Sequence, residues 1–490
     1  GPPGMGKTRY FIRQLARDAA AGFGGTILEP TYESCEERIR DLRAYVEAED
    51  LDIQILLATS ITRVCKHGDK MAQWVRYSGS WRSVMCATCE HQTDCRVHTQ
   101  FQGIDRSRTV IFAVHALLPT LERQKMLGSY VVLDEACKCV EQEREWRFRD
   151  LAAVSAHRTP WHRARRNAAQ VLGEMLHRVS RDTKLRRSQN PDDQSLWFGR
   201  YVYGEELQAV LHRVLEDLGV EGVFDYDRSD LSPGVTREAI LEGDPEKLCP
   251  IDFDDLVSGL DHAAIHVPPG EGARFVLFNL RLPTTRVPVV LLDSTAKYTW
   301  ATMRRYFPGR ECDYFEFRVH PSEHATWIHY KTTSYLALRI SRELQRVQRS
   351  LVHDLQAVVG RVGEWLKGRS PRLGVICPMR IEDDVMAALQ VLGLTDCVVD
   401  HFGNIRGTNE FECVDALVVV GDMIPNINQA AYHASVLRIS VDDRIWGLRR
   451  AEAVQAAGRA RDVRRTADNP VMVFHLSSYW GVSGIPDETM

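Results

Sequence analysis

The stretch "GPPGMGKT", residues 1–8, fits the pattern G-x-x-x-x-G-K-[ST], with Gly1, Gly6, Lys7 and Thr8 in the fixed places and Gly4 inside the turn. Glycines let backbone N–H groups face inward around phosphate oxygens, a lysine reaches the β- and γ-phosphates, and a threonine hydroxyl holds Mg²⁺. The run that follows, "KTRYFIRQLARDAA", is expected to be helical and to direct its N-terminal dipole at the same anion. The pattern also occurs as a plain glycine-rich turn that holds no nucleotide. No strand precedes the turn in this sequence, so the chain reads as a segment of a longer protein.

Three further stretches read as buried strands with polar tips. "GGTILEPTYESCEE" runs from a short apolar strand through Pro30–Thr31 into a helix. "SYVVLDEACKC" delivers Asp134 and Glu135 at the carboxyl end of a strand at 131–133. "VPVVLLDSTAKYT" delivers Asp293, Ser294 and Thr295. Strands alternating with helices imply a parallel, doubly wound sheet whose site lies along the strand C-termini. There Asp134 suits Mg²⁺ and Glu135 suits orientation or deprotonation of an attacking water. Taken alone, an Asp-Glu pair after an apolar run is an ordinary strand end; the P-loop upstream gives it a chemical reading.

The second half repeats this texture. "RLGVICPMR" and "VDALVVVGDMIPN" read as strands and "IEDDVMAALQVLG" as a helix. "AEAVQAAGRARDVRR" sets Gln455, Gly458, Arg459 and Arg461 at the end of a second domain. Arginines brought to a nucleotide from a second domain stabilise the charge of phosphoryl transfer; a solvated basic helix face is the alternative.

In the order GPPGMGKT, EPTYES, DEAC, DSTA, "HFGNIRGTNEFECVDALVVVGDMIPN" and QAAGRARD, the chain resembles the superfamily 2 helicases, and within them the iron–sulfur XPD and DinG group. Cys137 departs from the histidine of DEAH, Asn409 from the usual aspartate, and Asp462 occupies the place of a second arginine. The resemblance implies an α/β fold of two RecA-like parallel-sheet domains, with a four-cysteine insertion and a helical arch-like insertion in the first. The expected layout is residues 1–60, 106–150 and 271–325 for the first domain, 61–105 for the cysteine insertion, 151–270 for the arch and 326–490 for the second domain. It also implies ATP and Mg²⁺ as cofactors, Arg459 or Arg461 as the γ-phosphate sensor, and Thr31, Ser294, Thr295 and the 403–409 loop, with Arg406 and Asn409, as the coupling to a strand.

Cys65, Cys86, Cys89 and Cys95 lie between EPTYES and DEAC. Four thiolates at such spacing hold Zn²⁺ or an iron–sulfur cluster, and the spacing is common to both. The family's insertion at this place implies a [4Fe–4S] cluster. His91 and His98 in the same run read as surface histidines. The interval before DSTA is too long for a loop, and "AAQVLGEMLHRVS" and "GEELQAVLHRVLEDLG" have helical apolar spacing. From His157 to Arg187 there are nine Lys/Arg against two Asp/Glu, with Trp161 among them. Such a run is either a path for single strands or a solvated face.

Composition sets wider limits. The chain has 490 residues, 44% hydrophobic and 26% charged, with net charge −4, an ordinary globular balance that gives no global argument for nucleic acid. No apolar run approaches a membrane span, and twelve cysteines without scaffold density suit a reducing, cytoplasmic compartment. The combined expectation is an ATP-dependent DNA helicase or translocase, monomeric, moving 5′ to 3′ on single-stranded or forked DNA, alone or beside other replication or repair domains. The alternative is a nucleic-acid-stimulated ATPase that remodels protein–DNA complexes without unwinding.

Overall fold

The apolar runs of the first half form strands buried on both faces, as a parallel sheet covered by helices requires. A computed structural model of the protein describes residues 6–66, 89, 91, 95–135, 140–156, 163–190, 199–225, 253–280, 287–307, 309–316, 322–335, 343–367, 369–403, 410–423, 425–461, 464–478, 480 and 486–490. Residues 191–195 and 228–234, Trp161, and Cys137 with Cys139 lie outside the described residues. Two units divide the chain: one of residues 14–290 with 431–436, the other of residues up to Arg13 with 291–430 and 437–490.

In the unit built around residues 14–290, β1 (Gly25–Glu29), β2 (Gln54–Leu57), β3 (Thr109–Val114) and β4 (Val131–Asp134) make a parallel sheet. The helix Lys7–Ala20 buries Ile12, Leu15, Ala16 and Ala19. Gly25 admits it: a Cβ there would stand 2.3 Å from the Leu15 Cδ2. The following helix, Tyr32–Ala48, starts at Thr31, whose hydroxyl accepts from the Ser34 N–H while Ser34 caps the Thr31 N–H in return, a reciprocal cap that ends the strand cleanly. Thr59 and Gln100 exchange hydrogen bonds of 3.1–3.3 Å at the two ends of the cysteine segment.

A second, antiparallel sheet follows in the same unit. It is ordered β5-β8-β7-β6 and consists of β5 (Glu141–Arg147), β6 (Arg200–Tyr203), β7 (Ala263–Val267) and β8 (Arg274–Leu280). Helices Phe148–Ala156, Arg163–Gln189 and Gly204–Leu218 share one apolar core with it, including Trp146, Leu172, Met175, Phe253 and Phe275. Tyr432, from the 431–436 piece, accepts at its hydroxyl from the Phe278 N–H at 2.8 Å and reaches the His262 carbonyl at 2.7 Å.

This sheet corrects two expectations. The interval expected to be a helical arch is mixed α and β, and residues 274–280, expected in the RecA-like domain, pair instead with β5 and β7. The two amphipathic helices announce themselves by their period. By contrast, "EQEREWR" carries one buried side chain, Trp146, and a strand so charged resembles a solvated helix or loop.

β9 (Val289–Leu292) completes the first sheet in the order β2-β3-β1-β4-β9, and the chain passes within it into the other unit. There β10 (Ala325–Lys331), β11 (Leu373–Cys377), β12 (Cys397–His401), β13 (Ala416–Val420), β14 (Val471–Ser477) and β15 (Glu488–Thr489) form a six-stranded sheet. Its order is β12-β11-β13-β14-β10-β15, with parallel pairs throughout. Successive residues alternate between its faces. Val375, Val418 and Phe474 pack with Leu351, Leu355, Val385 and Leu389 of helices Leu344–Trp365 and Glu382–Val391. Ile376, Leu417 and Val473 pack with Phe411, Val454 and Ala457 on the other face.

Helix Ala296–Tyr306 lies against helix Val441–Ala457, and Gly447 allows the approach, since a Cβ there would stand 2.7 Å from the Tyr298 carbonyl oxygen. A backbone oxygen cannot swing aside as a side chain can. Gly447→Ala is therefore expected to cost roughly 1–3 kcal/mol by overpacking, read as a lower denaturant midpoint. An unchanged midpoint would show that the two helices separate freely.

Candidate functional site

The first sheet assembles its chemistry at the carboxyl ends of β1 and β4. Register pairs Leu28 with Leu133, so Glu29 and Asp134 are the next residues abreast on adjacent strands. Side chains abreast in a parallel pair point to the same face. Glu135 follows with φ +49°, a left-handed conformation uncommon outside glycine and concentrated at functional sites. Asp134 and Glu135 are half-buried, whereas Glu29 is 1% exposed. Burial first, and then the negative charge of Asp134, push the Glu29 carboxyl up to about 8; Glu135 adds to the rise, and Arg38 and Ser34 pull weakly against it. Its Oε1 has no hydrogen-bond partner among the described residues. Nothing in the motif reading singled out Glu29. The available signal was an acidic residue closing an otherwise apolar strand, "GTILE".

Gly6 has φ +81° and leads directly into the helix that Lys7 begins, with the Tyr10 N–H on the Gly6 carbonyl at 2.9 Å. The first turn of that helix contains no acidic residue, a neighbourhood suited to an anion. Gly1 and Gly4 lie outside the described residues. A carboxylate at a strand end fits a hard divalent cation such as Mg²⁺: Asp134 would hold it, and it would neutralise phosphate charge.

In the other unit, Thr295, expected to meet a nucleic-acid strand, is 2% exposed. Its N–H and hydroxyl both bond the Asp293 carboxylate, so its side chain fixes the turn that begins helix Ala296–Tyr306. Ser294 beside it is half-buried, and Thr31 is exposed but spends its hydroxyl on the cap. Arg406 and Asn409 lie outside the described residues. Gln455 is buried near the end of its helix. Arg459 follows in the turn Gly458–Ala460, and Arg461, at φ +51°, pairs its Nε with the Glu412 carboxylate at 2.9 Å. Arg461 thus has an acidic partner on its own unit.

The contacts of the side chains bear on the basic run and on the cysteines. Part of the basic run at 163–187 is engaged within the unit: Arg178 pairs with Glu174 and Asp217, Arg186 pairs with Asp182, and Arg187 bonds the Val267 carbonyl. Arg165 is buried. Of the four expected cluster thiols, Cys86 lies outside the described residues, and Cys65, Cys89 and Cys95 are half-buried and in no disulfide among the described residues. Among the described residues only Glu382, Asp400 and His401 bring three such ligand atoms within 4.8 Å of one another, so Cys65, Cys89 and Cys95 do not form the cradle that iron–sulfur or zinc requires. No step is derived through either. Glu382 and His401 are already joined by a 3.0 Å hydrogen bond.

No protein-family profile matches the sequence, and no curated protein is similar to it. Among solved structures, the chain is similar to T. fusca Cas3 with ATP at 12% identity and a TM-score of 0.26, over 98% of this chain. It is likewise similar to T. fusca Cas3 with AMPPNP at 12% identity and a TM-score of 0.23, over 99% of this chain. The chain spans 44% of the length of each. Similarity at that level fixes neither fold nor function. Among the described residues, no helix is long and apolar enough to cross a membrane.

Glu29 makes stability depend on pH. Its folded value is raised from 4.5 to about 8, so the folded chain holds a proton that the unfolded chain releases. Its contribution is complete below pH 4.5 and is lost as pH rises through about 8. Glu29→Gln removes that dependence. The variant should match the parent near pH 5 and melt higher than it at about pH 9; a lower melting temperature at both would contradict burial of a protonated acid.

Proposed function

We propose that the protein is an ATP hydrolase that works on nucleic acid as a helicase or translocase. The observation carrying this reading is the delivery of Asp134 and Glu135, the latter left-handed, at the end of an inner strand of a parallel sheet. Such a pair downstream of "GPPGMGKT" matches the parts list of P-loop phosphoryl transfer. Lys7 would bind β- and γ-phosphate oxygens and Thr8 would orient the cation held by Asp134. Glu135 would position the attacking water and accept its proton, and Arg459 would meet the charge that develops in transfer. Arg459 is preferred to Arg461 because it directly follows Gly458, the position best matched to the family motif. Gln455, buried just upstream, would hold the arginine's turn.

The motif order adds the finer parts of the proposal. These are XPD- and DinG-like ancestry, single-stranded DNA as the track, 5′ to 3′ movement and work as a monomer in the cytoplasm. Ser294 and the 403–409 loop would couple the site to the strand.

Phosphate release with and without a single-stranded oligonucleotide tests the reading. The parent should turn over ATP faster with the oligonucleotide. Lys7→Ala should abolish turnover, and Glu135→Gln should bind ATP yet hydrolyse it slowly. Arg459→Ala should lose about 10³-fold or more in turnover, while Arg461→Ala stays mild. Unchanged release in Lys7→Ala would overturn the assignment; a dead Arg461→Ala beside a mild Arg459→Ala would exchange the arginines' roles.

A further inference from the structure

The end of β12 gathers polar side chains that the nucleotide reading leaves unused. β12 is the edge strand of the six-stranded sheet, next to β11. It ends with Asp400 and His401, and successive strand residues point to opposite faces. Here Asp400 instead folds back, its Oδ1 accepting from the His401 N–H at 2.7 Å. Cys377 stands opposite His401 in the register, and its thiol donates to the Asp400 carbonyl at 3.8 Å. Glu382, the first residue of helix Glu382–Val391, completes the group: its Oε2 lies 3.0 Å from the His401 Nδ1. The Asp400 Oδ1 lies 3.6 Å from the same nitrogen. One ligand atom from each of the three residues falls within 4.8 Å of the others. A single N–H serves one acceptor well, and 3.6 Å is beyond a hydrogen bond. The Glu382–His401 bond therefore accounts for only two of the three converging atoms.

We propose that Glu382, Asp400 and His401 form a binding site for a first-row divalent metal ion of the zinc type. Zinc binds nitrogen at about 2.0–2.1 Å and carboxylate oxygen at about 2.0–2.2 Å in a tetrahedron, which sets neighbouring ligand atoms roughly 3.3 Å apart. The two distances to the His401 Nδ1, 3.0 and 3.6 Å, bracket that spacing. Imidazole with two carboxylates suits Zn²⁺ better than Mg²⁺, which favours oxygen ligands and octahedral geometry. The three side chains are 15–33% exposed, which leaves the fourth position to water, as in an open zinc site. His401 would bind as the neutral imidazole, and the Nδ1 proton would pass to solvent. The ion would tie the start of helix Glu382–Val391 to the end of β12 and so fasten the open edge of the sheet. None of the three residues takes part in the ATPase reading, so either proposal can fall alone.

Calorimetric titration of the chelator-treated full chain with Zn²⁺ alone tests this without turnover. The parent should bind one equivalent of Zn²⁺ more tightly than His401→Gln, whose amide can still donate to Glu382 but is a poor zinc ligand. Affinity for that equivalent should fall more than about 100-fold, beyond the roughly 10–100-fold that loss of an outer-shell partner costs. With Co²⁺ as the probe, the parent-minus-variant spectrum should show visible ligand-field bands and no sulfur-to-cobalt charge transfer, which separates this site from the chain's cysteines. Zinc should also raise the melting temperature of the parent more than that of the variant, a difference that a hydrogen bond alone would not produce. Equal Zn²⁺ stoichiometry and affinity in the parent and His401→Gln would overturn the proposal, as would sulfur charge transfer in the difference spectrum. If His401→Gln does not fold, Glu382→Gln decides the matter: loss of the same equivalent supports the site, and parental binding overturns it.

Discussion

The in-register pairing of Thr26–Leu28 with Val131–Leu133 is the constraint from which the candidate site follows. Backbone hydrogen bonds between two parallel strands fix which side chains stand abreast, and a slip of one residue would turn every side chain to the other face. Because both strands are buried through their length, with Ile27, Leu28, Val132 and Leu133 all inaccessible, the apolar core holds the register. Two acids are thereby set together at the strand ends, and Glu135 takes its left-handed turn beside them. The fold brings together like charges that would otherwise repel, and the Glu29 carboxyl, pushed up to about 8 with Arg38 and Ser34 pulling weakly against it, answers by keeping its proton.

The same logic appears on a larger scale in the six-stranded sheet, where alternation between two apolar faces commits both sides to helices and leaves chemistry to the strand ends. Asp422 follows β13 and lies near Arg449 and His475, at 3.6 and 3.5 Å. Arg461 and Glu412 pair on the same unit. Gly447 beneath Tyr298 shows how the chain uses a missing side chain to bring the helix after Thr295 against the helix that carries Gln455.

Much of this architecture was legible. Continuous apolar runs such as "TVIFAV" and "ALVVV" read as buried strands because nothing else in a globular chain requires them, and the polar residue after each run located Asp134 and Asp293. Glu29 was not legible, since its role depends on a neighbour a hundred residues away that only strand order identifies. Glu141–Arg147 was hidden by its charges, and Arg274–Leu280 by a partner strand lying far upstream. The basic run at 163–187 was legible only as a charge count, because the pairing of Arg178 and Arg186 with Glu174, Asp217 and Asp182 depends on helix packing. The inward turn of Thr295 to Asp293 was likewise not legible, because a polar tip gives no sign of it.

Hydrogen exchange of the protein with and without Mg²⁺ and a non-hydrolysable ATP analogue tests most directly whether the strand-end acids and the start of the first helix hold a nucleotide. Protection should concentrate at the backbone of Gly6–Phe11 and of Val131–Glu135, with smaller changes through the antiparallel sheet of residues 141–280. Binding of the analogue with protection elsewhere, and none at these two segments, would contradict the account.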